Sequence, residues 1–68
     1  MKIELITIGD ELLDGIIADE NARWLSEALV SRGHQVKRCT TIRDDVSEIA
    51  RTVKAVCKRS ETCIVTGG

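Results

Sequence analysis

Three stretches of this sequence carry residue types that could bring a polyanion and a cation together. Gly9-Asp10-Glu11-Leu12-Leu13-Asp14-Gly15 follows an apolar run, Arg43-Asp44-Asp45 follows a second, and Thr66-Gly67-Gly68 follows a third. Glycines let backbone amides approach an anion closely, and a helix starting after them adds its positive end. Carboxylates on neighbouring loops hold a divalent cation through oxygen, as magnesium prefers when it bridges to phosphates. The combination points to phosphate-plus-metal chemistry. Each piece has a plainer use. Gly9 and Gly15 serve equally well as turn residues, and either Asp44 or Asp45 caps a helix, an effect of about 0.5–2 kcal/mol. One cap suffices. Glu48 stands three residues after Asp45, so Asp45 is read as the cap and Asp44 as the site residue. Gly67-Gly68 fits neither the GxGxxG nor the GxxxxGK[ST] pattern.

Composition removes other chemistries. The 68 residues include one Trp, no Tyr, no Phe and no Pro, which excludes base stacking on aromatic surfaces as in single-strand binders. A net charge of −1 gives no pull toward nucleic acid or anionic lipid, so neither is expected as a partner. Cys39, Cys57 and Cys63 form no CxxC pair and have only His34 as a nitrogen companion, which points to neither a zinc site nor a disulfide framework. Reduced thiols fit a cytoplasmic protein. Lys2 and Glu4 interrupt the first apolar run, unlike a signal peptide. The charge is uneven, however. Residues 1–34 hold seven acids against three bases, and five of those acids fall between Asp10 and Glu20.

The elements that must position these residues follow from periodicity. Ile3, Leu5, Ile6 and Ile8 predict a buried strand, and the polar stretch after Gly9 a loop. Asn21, Trp24, Leu25, Ala28 and Leu29 predict a helix ended by Gly33, with Trp24 as a packing residue. Val36–Ile42 predicts a second strand, placed at an edge by Lys37 and Arg38. Val46, Ile49, Ala50, Val53, Val56 and Cys57 form the apolar stripe of a second helix, and Cys63–Thr66 a last strand. Cys57 and Cys63 read as small buried hydrophobes and His34 as an exposed structural residue.

Alternating strands and helices imply right-handed crossovers and a parallel sheet in a three-layer α/β/α arrangement, here its first β-α-β-α-β half. Ligands of such sheets bind beyond the carboxyl ends of the strands, where all three stretches above fall. Two helices cover a three-stranded sheet poorly, and a chain of this size buries only about 60% of its unfolded surface.

The same residues resemble a known family. Ile8-Gly9-Asp10-Glu11-Leu12-Leu13-Asp14-Gly15, Asn21-Ala22, Leu25-Ser26-Glu27-Ala28-Leu29, Gly33, Thr41-Ile42-Arg43-Asp44-Asp45 and Ile64-Val65-Thr66-Gly67-Gly68 resemble, in order, the start of the competence/damage-inducible protein A (CinA) family. Gly-Asp-Glu-Leu alone is similar also to molybdopterin-incorporating proteins. The resemblance implies that residues 1–68 are the N-terminal portion of one molybdopterin-binding-like domain with the fold of molybdopterin adenylyltransferases, truncated at its glycine loop. It implies metal-dependent hydrolysis of ADP-ribose-type pyrophosphates in the full-length parent, with the short chain inactive alone. By motif, Thr66, Gly67 and Gly68 begin the phosphate-binding glycine loop, which the family normally continues with Leu-Gly-Pro-Thr and an Asp. Asp44 matches an active-site acid, and Gly9, Asp10 and Glu11 match the first-strand loop.

Residue chemistry and resemblance then give one expectation. Thr66, Gly67, Gly68 and Gly9 orient a phosphate, while Asp44, as the catalytic residue, holds a divalent cation, magnesium by preference, with Asp10 and Glu11. The ligand is a nucleotide or pterin phosphate, and the protein partner is the remainder of the domain, with a homo-oligomer left open. Two alternatives stand beside hydrolysis: a module of molybdenum cofactor biosynthesis that binds without turnover, and an inactive truncated product. The 68-residue chain alone is expected to be marginally stable. A cooperative thermal transition well above ~50 °C, followed by circular dichroism, contradicts that expectation.

Overall fold

A computed structural model describes residues 1–67; Gly68 lies outside the described residues. The chain runs β1 (Lys2–Ile8), α1 (Asp10–Leu13), α2 (Glu20–Ser31), β2 (Gln35–Ile42), α3 (Val46–Arg59) and β3 (Thr62–Gly67). The three strands make one parallel sheet in the order β2-β1-β3. β1 is central because it is the most apolar strand, with Ile3, Leu5 and Ile6 buried on its two faces. β2 takes an edge, as Lys37 and Arg38 predict. The crossover from β2 to β3 passes back over β1, so right-handed connections put α2 and α3 on opposite faces. This is the expected α/β/α layering.

Local signals account for the helix ends. The Asp19 carboxylate accepts from the Ala22 N–H at 3.0 Å and caps α2. Gly33, at φ +85°, closes that helix while the amides of Gly33 and His34 donate to the carbonyls of Val30 and Leu29. This is a Schellman ending, in which glycine tolerates the left-handed conformation. Asp45 caps α3, accepting from the Glu48 N–H at 2.9 Å. On the α3 face of the sheet, Ile6, Ile42 and Val56 form the core, flanked by Ile8, Ile49, Val53 and Cys63.

Several expectations need correction. Residues Asp10–Leu13 form a turn of helix rather than loop, with Asp14 N–H donating to the Asp10 carbonyl at 2.9 Å. Trp24 does not pack: it is 67% exposed, on the flank of α2 that also carries Asn21. α3 is rolled relative to its apolar stripe, so that Ile49, Val53 and Val56 meet the sheet while Val46, Ala50 and Cys57 lie exposed. His34 is half-buried rather than exposed, and its Nδ1 has no hydrogen-bond partner.

The roll of α3 has a polar counterpart. Glu4, on the face of β1 that meets α3, is 1% exposed. Arg59 at the end of α3 grips it in a fork, Nε on Oε2 at 2.9 Å and Nη2 on Oε1 at 2.7 Å, and the Ser60 hydroxyl donates to the same carboxylate. These donors, Arg59 first, hold the Glu4 carboxyl down to about 2. A carboxylate with a depressed folded value stabilises above its unfolded value and loses that contribution as pH falls toward the folded one. The urea midpoint of the chain is therefore expected to be flat above pH ~5 and to fall between about 4.5 and 2. Glu4→Gln should lower the midpoint at neutral pH and flatten the acid limb; an acid limb unchanged by the substitution excludes Glu4 as its source.

Candidate functional site

Parallel pairing puts the carboxyl ends of all three strands at one rim. Ile8 is in register with Ile42 of β2 on one side and Gly67 of β3 on the other. Asp44 and Gly67 thus share a rim, separated by the width of β1, about 10 Å for two strand spacings. α2 also starts here: Asn21 Nδ2 donates to the Gly67 carbonyl at 3.2 Å, which ties the helix start to the end of β3. Thr66 Oγ1 approaches that same carbonyl at 3.2 Å. One layer down, the hydroxyls of Thr7 and Thr41 share a hydrogen bond of 2.8 Å between β1 and β2.

The first and second loops are latched to each other. Gly9 N–H donates to the Ile42 carbonyl at 3.1 Å, and Asp44 N–H donates to Asp10 Oδ1 at 3.2 Å. The Arg43 guanidinium sits between two carboxylates, with Nη2 at 2.7 Å from Asp14 Oδ1 and Nη1 at 3.6 Å from Asp10 Oδ1. Its hydrogen bond holds the Asp14 carboxyl below the usual range, and the guanidinium is raised in turn. All three side chains are about half exposed.

The expected site residues separate into two groups. Asp10 and Glu11, in α1, adjoin Asp44 in the loop after β2, and Thr66 and Gly67 end β3 across β1; Gly68 is outside the described residues. Gly9 is at the rim, but its amide is engaged by Ile42 and its α-carbon abuts the Glu11 carboxylate. An added Cβ there would come within 2.8 Å of Glu11 Oε1. The closeness explains glycine at this position, and it leaves no N–H directed at an anion. Among the described residues no three His, Cys, Asp or Glu side chains converge as a metal-binding set. The donor chemistry fits a magnesium that takes one or two carboxylates and fills its remaining positions with phosphate oxygens and water. It does not fit an all-protein cage, because Asp10 and Asp14 are already turned to Arg43 and the Asp44 amide. Residue types put Asp14 and Arg43 in two of the charged stretches and Asn21 on the α2 face, without the contacts that join them to other elements. Arg43 adjoins Asp44, and Asn21-Ala22 belongs to the recognised motif, so both were visible only as neighbours of other signals.

The fold defines an open-sheet α/β domain whose acidic loops gather at the carboxyl ends of its strands, and comparison with known proteins gives its family. Residues 4–68 match the family described as probable molybdopterin binding domain, and the chain belongs to it. It is similar to a Pyrococcus horikoshii protein, 42% identical over 66 residues covering 96% of this chain and 26% of that one. It is similar also to CinA-like proteins of Desulfosudis oleivorans (40% identical, covering 100% of this chain) and Thermotoga maritima (39%, covering 98%), each matched over 16% of its length. The crystal structure of CinA, a protein of unknown function from Thermoplasma acidophilum, superposes with a TM-score of 0.88 at 28% identity, covering 96% of this chain and 40% of that one. The chain spans about a quarter of the Pyrococcus relative and less of the CinA-like proteins.

The latch leads to a measurable consequence. Arg43→Met is expected to release the first loop, raising amide hydrogen exchange across residues 10–15 by roughly tenfold while the β1 amides keep their protection. Equal exchange in both proteins removes Arg43 as the latch.

Proposed function

We propose that this segment contributes one side of a site for a phosphorylated nucleotide or pterin, taken together with a divalent cation, magnesium by preference. In a full-length protein of the family the reaction is metal-dependent hydrolysis of an ADP-ribose-type pyrophosphate. The observation that carries the reading is the charge at the rim. Asp10, Glu11, Asp14 and Asp44 crowd the first two loops, with Arg43 as the guanidinium paired among them. A diphosphate alone is repelled by such a rim, whereas one accompanied by a cation is attracted to it.

The residues divide the work by position. The Asp44 carboxylate, exposed at the end of β2, holds the cation with Glu11, while Asp10 orients the Asp44 backbone through the 3.2 Å hydrogen bond. When bound, the cation supplies neutralisation of the charge that develops on phosphoryl oxygens. Thr66 and Gly67 orient a phosphate from the far side of β1, and Asn21 steadies that strand end through the Gly67 carbonyl. A second reading, binding of a molybdopterin-type ligand without turnover, is favoured by the lack of a three-donor metal set among the described residues. Either activity is placed in the cytoplasm, the compartment in which free cysteines such as these three persist. The partner is the remainder of the domain.

The deciding experiment uses a full-length family member that carries this segment, titrated with ADP-ribose, FAD and a pterin phosphate with and without magnesium. Asp44→Ala should lower turnover of the pyrophosphate roughly tenfold or more with the circular dichroism unchanged. Turnover equal to wild type removes Asp44 from the mechanism. Tight binding with no product, whether or not magnesium is present, assigns the second reading.

A further inference from the structure

The guanidinium of Arg43 is seated on oxygen. Its Nη2 lies 2.7 Å from Asp14 Oδ1, its Nη1 lies 3.6 Å from Asp10 Oδ1, and Nη1 also donates to the Asp10 carbonyl at 3.4 Å. Two carboxylates and a peptide carbonyl are the donor types that a hard divalent cation takes. A cation is therefore already in place here, and it is a side chain. The seat is made entirely by the segments that follow β1 and β2, so its contacts do not depend on what lies beyond β3. It is also fixed from a second direction, because the Asp44 N–H donates to the same Asp10 Oδ1 at 3.2 Å.

The charges of the rim show what this seat does. Asp10, Glu11, Asp14 and Asp44 bring four carboxylates to two neighbouring segments, and among the described residues Arg43 is the base paired with any of them. Two of those carboxylates are matched by the guanidinium, and Asp44 and Glu11 are not. A guanidinium stays charged at every pH at which the chain is folded, and it offers its donors in a planar fork. It is tethered as well, so dilution never removes it from the seat, and a free ion must compete with a group held at high effective concentration. A divalent cation that entered the seat would also meet a displaced positive charge beside it. In two-metal sites a pair of cations clamps the oxygens of a phosphoryl group. Here one of two such positions is filled by the chain itself.

We propose that Arg43 takes the place of a second divalent cation at this rim, with Asp10 Oδ1, Asp14 Oδ1 and the Asp10 carbonyl as its oxygen partners, so that the site admits a single free cation. The inference deepens the reading in which Asp44 and Glu11 hold that cation and rests on it for the count. The seat of Arg43 and the ion at Asp44 are separate positions, and different variants test them.

The test counts bound manganese, which suits the same oxygen donors as magnesium, by electron paramagnetic resonance in a full-length family member that carries this segment. Arg43→Met should bind one more manganese ion per chain than the wild type, with the circular dichroism unchanged. Arg43→Gln, which removes the charge and keeps a polar side chain, should do the same. Combining Asp14→Asn with Arg43→Met should return the count to the wild-type value. Arg23→Met makes an equal change of net charge on α2, where Arg23 pairs with Glu20 and Glu27, and should add no ion. An unchanged count in both Arg43 variants overturns the proposal. So does an added ion that survives Asp14→Asn, or one that Arg23→Met adds equally. Asp44→Ala addresses the other position and should remove one ion from the wild type. A count that Asp44→Ala leaves unchanged overturns Asp44 as a cation ligand, and the gain on replacing Arg43 then still supports the guanidinium as a cation in its seat.

Discussion

Everything at the carboxyl-end rim of the sheet depends on β1 being held between two parallel partners. Its ladder to β2 and its ladder to β3 both end at Ile8, so the two neighbouring strands finish level with each other. A hydrogen-bonded register leaves little freedom along the strand axis, and slipping by one residue would turn the buried Leu5 and Ile6 to the wrong faces. The site is therefore positioned by backbone pairing in the centre of the sheet. The loops that carry its side chains need only short local contacts to stay in place.

Those local contacts are mostly electrostatic, and they act against the crowding they organise. Five acids between Asp10 and Glu20 would repel one another in an open loop. Arg43 draws Asp10 and Asp14 together from the opposite side, and the Asp44 amide donates to the same Asp10 Oδ1 that faces Arg43. The same arrangement engages two of the carboxylates that could have held a cation and leaves Asp44 and Glu11 outside the latch.

At the amino end of the sheet the balance is different. Glu4 is buried, and the cost of burying a carboxylate is met by the Arg59 fork and the Ser60 hydroxyl rather than by solvent. Removing one partner would leave an uncompensated charge beneath α3, so the pair fixes how α3 lies on the sheet. On the same side of the sheet α3 packs through Ile49, Val53 and Val56, with Val46, Ala50 and Cys57 exposed. Among the described residues five buried apolar side chains make a small core, and the clamp beside it ties the end of α3 to β1.

Much of this was legible in the residues themselves. Periodicity and capping signals located the three strands and the two long helices, because burial on a sheet imposes period two and on a helix period three to four. The charges of Lys37 and Arg38 marked the edge, and Asp45 with Glu48 marked the start of α3. Belonging to one rim was legible too, since right-handed parallel crossovers leave no other place for the loops after each strand. What the linear pattern left open was every contact between distant residues of opposite charge: Glu4 with Arg59, and Arg43 with Asp14. An ion pair has no periodicity, and a charge reads as solvated until a partner is found for it. The same limit explains Trp24, Cys57 and His34, whose burial depends on how far each helix rolls and what lies beside it. Types and order of elements follow from local chemistry, which the sequence contains; partners and exposure follow from three-dimensional proximity, which only folding creates.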